Sequence, residues 1–378
     1  MGEIMSICYA CGCKLTSDNE TKEHIFIQAI GGRLYSKNLL CKQCNSEFGN
    51  IIDSSLAEQL NFISNMLNIK RDRGRPPAFE VEDAKTGEPL LCMPGGKLEY
   101  LKPMIKKDGN KYSVRVNNAK EAKAVIKGLK RKHPELNEEE ILKTLKNNEE
   151  YLDHEVSFEI VFGTGDVFRS ICKTAINFYL FSNGNLDDVK HLIPYIKRKE
   201  DRKDIVLWSI LSDDPIECDA SDISHNIIIV GDRNEEILFC YIEFFGVYRV
   251  IVVLNNQYKG AAFKASYFFD VILRQEIKRN WSLSLSRLEL EQMIYAPLPK
   301  DTIKRQLMML MEKIQKKQSH DHLAILLERA MNNFKEKCLA NTLSEEEQYE
   351  ELINETMKQL TPWYLHVLRN QRKEDEQL

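Results

Sequence analysis

The sequence lacks the features that would place it in or across a membrane. It has no uncharged apolar run of the ~18 to 20 residues that a membrane-spanning helix needs. Its N-terminus has no basic region followed by an apolar stretch, and its first cysteine is already residue 8, unlike a secretory signal. We therefore expect a soluble, cytoplasmic protein with no membrane partner.

The sequence also has little net charge. Its 53 Lys and Arg residues are offset by 57 Asp and Glu residues, which gives a formal net charge of −4 at pH 7. This balance excludes a protein that coats nucleic acid through a strongly basic surface. Any contact with a nucleic acid must therefore be local.

Recognisable motifs are absent from most of the chain. The sequence contains no internal repeat and no low-complexity segment. Residues 80–378 contain no Gly-rich phosphate loop and no nucleophile elbow. Motifs therefore assign no role to this region.

Length and periodicity predict an α+β protein with several domains. The 378 residues exceed what one core usually supports, and the 43% apolar and 29% charged fractions are those of an ordinary globular protein. The pattern of apolar residues divides the chain into four segments. They are residues 1–77, a cysteine-rich module with a following helix; 78–150, small strands and helices of linker character; 151–290, an α+β domain of unknown role; and 291–378, a helical C-terminal region, with helical periodicity already from about residue 265.

The segment 151–290 has the clearest secondary-structure signals. Residues 155–162 alternate between apolar and polar positions and predict a strand, and residues 166–181 predict a mostly apolar helix. Three runs dense in Ile, Val, Phe and Tyr predict adjacent strands of an antiparallel sheet. These runs are residues 225–231, 236–246 and 247–255.

Cysteines are concentrated at the N-terminus. Cys8 and Cys11 are separated by two residues, and Cys41 and Cys44 repeat that spacing. Two such pairs predict one tetrahedral Zn2+ site per chain, which would be structural because four thiolates leave no position open for water. Cys13 is close enough in sequence to replace Cys11, at the expense of the two-residue spacing.

The residues between the two cysteine pairs resemble the HNH (His-Asn-His) endonucleases. The motif of that family has an acidic residue and His, a Gly-Gly turn, Asn-Leu, and Cys-x-x-Cys followed directly by His or Asn. The order of these landmarks makes the resemblance specific over residues 8–49. In this sequence they are Glu23-His24, Gly31-Gly32, Asn38-Leu39-Leu40, Cys41-x-x-Cys44 and Asn45.

The resemblance implies a zinc-stapled ββα-metal fold that hydrolyses DNA phosphodiester bonds with a divalent ion. It implies that His24 is the general base, that Glu23 and Asn45 hold one catalytic ion, and that Asn38 orients His24. Many relatives have Asp and a final His where this chain has Glu23 and Asn45. Because the remaining donors are oxygens, we expect Mg2+ or Mn2+ at the catalytic site.

Each of these residues also has a structural interpretation. His24 could donate a hydrogen bond inside a small zinc fold, and Asn38 and Asn45 could cap turns or the helix that starts near Cys44. Within the ordered motif we favour the functional interpretation for His24, whereas for Asn38 both roles remain open.

Two further clusters have the composition of binding sites. The basic residues Lys70, Arg71, Arg73 and Arg75 could contact DNA phosphates or could form a solvated turn. The segment from His320 to His322 has the composition of a metal site, but its two histidines lie two apart on a predicted helix and do not share a face. We therefore interpret it as surface.

Three functions are compatible with the sequence. The first is a metal-dependent DNA endonuclease, which the resemblance links with bacterial anti-phage defence or restriction. The second is a non-catalytic zinc-ribbon module that binds nucleic acid, and the third is an RNA-cleaving toxin. The retained Glu23, His24 and Asn45 favour catalysis, because a binding module needs none of them at these spacings. A partner subunit, an activating trigger and a homo-oligomer are further expectations.

Overall fold

A computed structural model of the protein describes most of the chain. The described residues are 7–109, 111–134, 136–146, 149–152, 154–163, 165–219, 222–340 and 344–375. The chain forms two compact units. The first comprises residues 1–77 and 160–315, and the second comprises residues 78–159 and 316–378. The cysteine-rich module and the central strand-rich region therefore belong to one unit, although they are far apart in sequence.

The strands and helices of the described residues are numbered here in chain order. The strands are β1 (Glu23–His24), β2 (Tyr35–Ser36), β3 (Phe79–Asp83), β4 (Pro89–Cys92), β5 (Leu98–Tyr100), β6 (Met104–Asp108), β7 (Lys111–Arg115), β8 (Val156–Ser157), β9 (Val206–Trp208), β10 (Ser224–Asp232), β11 (Ile237–Phe244), β12 (Tyr248–Asn255), β13 (Phe263–Asp270) and β14 (Gln275–Ile277). The helices are α1 (Lys42–Phe48), α2 (Ser54–Gln59), α3 (Asn61–Met66), α4 (Ala119–Lys132), α5 (Glu138–Lys143), α6 (Gly165–Phe181), α7 (Leu186–Val189), α8 (Ile193–Ile196), α9 (Arg287–Ile294), α10 (Lys300–Ala340) and α11 (Glu345–Asp375).

A six-stranded antiparallel sheet forms the core of the first unit. Its strand order is β14-β13-β10-β11-β12-β9, so the three predicted central strands are adjacent, which confirms that prediction. On one face, Ile228 and Phe239 are fully buried and pack with Leu290 and Met293 of α9. Helix α6 packs against β9, β10 and β12. The central strands are almost continuously apolar because helical segments cover their side chains on both faces.

The second unit is built from short hairpins and helices. It contains the sheet β5-β4-β3-β8 and the separate hairpin β6-β7. Helix α4 is capped by Asn118, whose side chain accepts a hydrogen bond from the amide of Glu121. Helix α5 is capped by Asn137, whose side chain accepts hydrogen bonds from the amides of Glu139 and Glu140, and its first turn is acidic. The predicted antiparallel α+β fold with a helical C-terminal part is confirmed.

Two secondary-structure predictions were wrong. Residues 155–162 form a strand only at Val156–Ser157, because the aromatic side chains of this segment belong to different units. Phe158 packs on Phe79 of the second unit, whereas Phe162 stacks on Tyr248 of the first unit with ring centroids 3.9 Å apart. One continuous strand cannot satisfy both contacts.

The second error concerns the start of the helical C-terminal region. Helical periodicity was expected from about residue 265, but strands β13 and β14 occupy Phe263–Asp270 and Gln275–Ile277. Strand β13 pairs along the whole length of β10, so sheet pairing determines its conformation. The helices begin at Arg287. No helix in the described part of the chain is long and apolar enough to cross a membrane.

His225 connects the sheet to the N-terminal module. This fully buried residue of β10 accepts a hydrogen bond at Nδ1 from the amide of Phe245 and donates one from Nε2 to the carbonyl of Ile30, 2.9 Å away. Its ring also stacks on Phe26, with centroids 5.0 Å apart. Burial lowers the pKa of His225 to about 4. The ring is therefore neutral at physiological pH.

We predict that His225 makes the protein less stable in mild acid. Below pH ~6.5 the His225 ring binds a proton in the unfolded chain but stays neutral in the folded protein. The free energy of unfolding therefore falls as pH falls from ~6.5 toward 4. Thermal and urea unfolding at pH 7.5 and pH 5 should show that His225→Gln removes about 2 kcal/mol of the pH-dependent loss seen in the wild type. The exposed His320→Gln is the control and should keep the wild-type dependence. An unchanged dependence in His225→Gln would contradict the prediction.

Candidate functional site

Four cysteine sulphurs form a compact cluster in the N-terminal module. The Sγ atoms of Cys8, Cys11, Cys13 and Cys41 all lie within 4.8 Å of one another. The Cys11 and Cys41 sulphurs are 3.8 Å apart. Zinc–thiolate bonds of ~2.3 Å in a tetrahedron require sulphurs about 3.8 Å apart, so the cluster fits a structural Zn2+.

The compact cluster contains Cys13, and the ligand set of Cys8, Cys11, Cys41 and Cys44 stays a prediction. Cys13 is part of the compact group together with Cys11, so it does not replace Cys11. The predicted ligand Cys44 lies beside the group, and burial together with the neighbouring thiols of Cys11, Cys41 and Cys8 raises its pKa. Sequence spacing could not show that Cys13 joins the cluster, because spacing does not reveal how a turn folds. The turn from Cys8 to Cys13 folds back on itself, with the Cys8 amide donating to the Cys13 carbonyl.

The electrostatics of the cluster favour thiolates at Cys11 and Cys41, whereas burial raises the pKa of Cys8 and hydrogen bonding to Cys11 raises that of Cys13. Burial opposes ionisation of Cys11, but hydrogen bonds from the Cys13 backbone and from the Cys13, Cys8 and Cys44 thiols lower the pKa of Cys11 to about 6. The Cys41 pKa is lowered in the same way, against burial, by the Cys44 backbone and thiol. Thiolates are the form that binds zinc.

A short hairpin positions Glu23 and His24. Glu23 pairs with Ser36 and His24 with Tyr35 across β1 and β2. The turn before β2 requires glycine at position 32, because a Cβ there would lie 1.9 Å from the carbonyl oxygen of Phe26. Neighbouring strand residues point to opposite sides, so Glu23 is buried while His24 remains half-exposed.

A helical run places Asn45 opposite this hairpin. Helix α1 starts after Cys41 and contains Asn45, and a π-helical turn, Gly49–Asp53, joins it to α2. Eight residues of regular α-helix would leave Asp53 about 80° away from Asn45 around the helix axis. The wider π turn reduces the rotation per residue and brings Asp53 toward the face of Asn45.

Glu23, His24 and Asn45 line one cleft. The cleft has a volume of about 330 Å³, and Asp53 and Lys173 line it as well. The structure therefore brings together the three residues that the motif predicts for base and metal. It adds two residues that sequence analysis did not identify.

Glu23 is held from inside the protein. It is 2% exposed and forms an ion pair with Lys173, while Asn177 Nδ2 donates to the same carboxylate oxygen over 2.6 Å. Burial raises the pKa of Glu23, and Lys173 opposes that rise. Burial lowers the pKa of Lys173, but Asp53 and Glu23 outweigh it and raise this pKa above its ordinary value. Lys173 is therefore a buried ammonium ion.

His24 and Asn45 have the states that their expected roles need. Burial lowers the pKa of His24, aided by Lys22 and opposed by Asp72, so the imidazole is neutral at pH 7 and can accept a proton. The Asn45 amide nitrogen donates to the Thr21 hydroxyl and to the Lys22 carbonyl. Its carbonyl oxygen is therefore the end left to act as a ligand. Together with the Glu23 carboxylate it offers the hard oxygen donors that suit Mg2+ or Mn2+.

Asn38 lies outside the cleft. Its side chain is exposed and makes no hydrogen bond within the described part of the chain; only its backbone amide is bonded, to the Ser36 hydroxyl. The structure thus provides no contact through which Asn38 would orient His24. That role stays a prediction.

The remaining sequence-predicted site residues are not among those that line the cleft. Lys70, Arg73 and Arg75 are exposed, and Arg71 is half-buried with its pKa lowered by burial. In the second unit, His320 is exposed, whereas His322 bonds the Tyr151 hydroxyl at 2.9 Å. The segment from His320 to His322 therefore gathers no metal site.

Comparison with known proteins agrees with the geometry of the N-terminal module. The sequence pattern of the HNH endonuclease family matches residues 8–61. Comparison of the chain with curated proteins and with solved structures finds no significant match. The matched segment carries the cysteine cluster, the hairpin and the helical run, and its family indicates nuclease activity on nucleic acid. Lys173 lies outside it.

We predict one tightly bound zinc per chain that depends on Cys41. Cys41→Ser removes a sulphur that belongs both to the compact cluster and to the predicted set, so zinc measured by elemental analysis should fall from about one per chain to near zero. The N-terminal module should then lose its order in amide hydrogen exchange. Cys92→Ser, a buried cysteine in the second unit, is the control and should keep its zinc. Full zinc retention in Cys41→Ser would contradict the assignment.

Proposed function

We propose that the protein is a metal-dependent endonuclease that hydrolyses DNA phosphodiester bonds in the cleft of Glu23, His24 and Asn45. The observation that carries the proposal is the convergence of a half-exposed neutral imidazole and two oxygen donors on one cleft beside a zinc-type cysteine cluster. A zinc ribbon that only binds nucleic acid would need none of these three side chains in a common cleft.

The proposed roles follow from the chemistry of phosphodiester hydrolysis. His24 accepts a proton from the attacking water. Glu23 and Asn45 would hold a Mg2+ or Mn2+ ion, which stabilises negative charge on the scissile phosphate and the leaving oxygen. Lys22 and Gln28 also line the cleft, and the buried Nε2 of Gln28 has no hydrogen-bond partner in the described part of the chain. These two side chains are therefore candidates to contact the phosphate oxygens.

We further propose that the basic segment after α3 contacts the DNA backbone. Lys70, Arg73 and Arg75 are exposed, and neither arginine forms an ion pair among the described residues. The Nε of Arg71 is buried without a hydrogen-bond partner there. Unpaired guanidinium groups are suited to phosphate oxygens. The defence role, the activating trigger and the homo-oligomer that the resemblance implies stay predictions.

We predict that His24→Ala abolishes cleavage. Loss of the general base should lower the cleavage rate by a factor of ~10² to 10⁴. Wild type and variant are incubated with plasmid DNA and with RNA in Mg2+ or Mn2+, with EDTA as the blank. His320→Ala, an exposed histidine of the second unit, is the matched control. Equal cleavage by His24→Ala and the wild type would contradict the proposed mechanism, and cleavage of RNA alone would assign the substrate to RNA.

We predict that Arg73→Ala and Arg75→Ala weaken DNA binding without changing the chemical step. Each removes one phosphate contact, so affinity should fall by a similar factor for every DNA sequence, and the slope of log affinity against log salt should shrink by about one. Fluorescence anisotropy measures the affinity and its salt dependence. The salt concentration is varied from roughly 50 to 200 mM, a range in which phosphate contacts strongly affect affinity. Lys127→Ala, an exposed lysine of α4, is the control. Salt slopes identical to that of the wild type would exclude these contacts.

A further inference from the structure

Helix α6 directs a polar stripe at the acidic residues of the cleft. Ser170, Lys173 and Asn177 are buried on an otherwise mostly apolar helix, at the i, i+3 and i+7 spacing that places residues on one face. The Ser170 hydroxyl donates to Asp53 over 2.7 Å, and Asn177 donates to Glu23. Lys173 pairs with both carboxylates.

Lys173 is the shared partner of the two carboxylates. Its ammonium nitrogen lies 2.8 Å from Asp53 Oδ2 and also contacts Glu23 Oε1, so these two oxygens are less than about 6 Å apart. The Lys173 ammonium is 1% exposed and is engaged by both carboxylates, so it is not free to bind a substrate. Two carboxyl groups and one amine at this point give an excess of oxygen donors, which suits a divalent cation in the cleft.

Stability alone does not explain an ion pair at this position. A buried ion pair usually adds little net stability compared with apolar residues of the same volume. Ligand carboxylates of metal sites, by contrast, are commonly held by hydrogen-bond donors behind them. Glu23 and Asp53 both line the cleft in front of Lys173, and Asp53 lies near the helix face of Asn45.

We propose that Lys173 is a positioning residue of the nuclease site, which holds Glu23 and Asp53 as one pair and makes Asp53 a further ligand for the divalent ion. This inference rests on the proposed function and extends it to two residues outside the recognised motif. Asp53 supplies an additional oxygen donor beside Glu23 and Asn45. Lys173 acts through the carboxylates and does not touch the substrate.

The test measures Mn2+ binding to the zinc-loaded, full-length protein in the absence of DNA. Electron paramagnetic resonance monitors binding through the signal of the free Mn2+ ion. The variants are Asp53→Asn, which keeps the size and shape of the side chain, and Lys173→Met, which removes the charge. Glu58→Gln is the matched control, since Glu58 is an exposed carboxylate of α2 that does not line the cleft. Zinc content and circular dichroism report whether each variant is folded.

We expect Mn2+ binding to weaken about 10- to 100-fold in Asp53→Asn and Lys173→Met and to stay unchanged in Glu58→Gln. In cleavage assays kcat should fall in both variants while KM for DNA stays within about twofold, and added Mn2+ should restore part of the activity of Asp53→Asn. A structural role alone would not shift the Mn2+ dependence.

Wild-type Mn2+ affinity in Asp53→Asn would overturn the ligand role, and equal or tighter binding in folded Lys173→Met would overturn the positioning role. If Lys173→Met does not fold, Asp53→Asn decides the proposal. Mn2+ binding is measured without DNA. If the wild type cuts no DNA but the variants bind Mn2+ more weakly than the wild type does, the proposed function fails while the roles of Asp53 and Lys173 stand. Conversely, if cleavage depends on His24 but all variants bind Mn2+ as tightly as the wild type does, only the roles of Asp53 and Lys173 are disproved.

Discussion

The buried ammonium group of Lys173 is the interaction on which the geometry of the cleft depends. It contacts Glu23, which is 150 residues away in sequence, and Asp53 at the end of the π turn. Without a cation at this point, two carboxylates would face each other in a place that water hardly reaches. Helix α6, which carries Lys173, therefore links two separate segments. These are the hairpin that contains His24 and the helical run that contains Asn45.

The six-stranded sheet supports the cleft from behind. Helix α6 packs on the sheet with its apolar residues and meets the N-terminal module with its polar stripe. A second connection joins His225 of β10 directly to the carbonyl of Ile30, next to the Gly31-Gly32 turn. In addition, the hydroxyl of Tyr9, beside the first cysteine, donates to Asn177. Buried polar contacts thus attach the module both to β10 of the sheet and to helix α6, which packs on the sheet.

The features that sequence analysis predicted correctly are those that depend on neighbouring residues. The hairpin, the N-terminal cysteine cluster and the strands from β10 to β12 have local signals of spacing and composition. Lys173 offered only a weak signal, a single lysine in a mostly apolar helix, and its partners are distant in sequence. The segment containing Phe158 and Phe162 was mispredicted for a related reason, since its alternation is real but its two aromatic residues pack in different units.

The π turn between α1 and α2 makes the spacing from Asn45 to Asp53 critical. Its extra residue per turn is what directs the carboxylate of Asp53 toward the cleft. If the turn became regular α-helix at unchanged chain length, Asp53 would rotate about 80° away from Asn45, whereas the same change with one residue deleted would leave the two residues within about 20° of each other. Homologous chains should therefore combine either eight residues with the π turn or seven residues with a regular helix between the counterparts of Asn45 and Asp53.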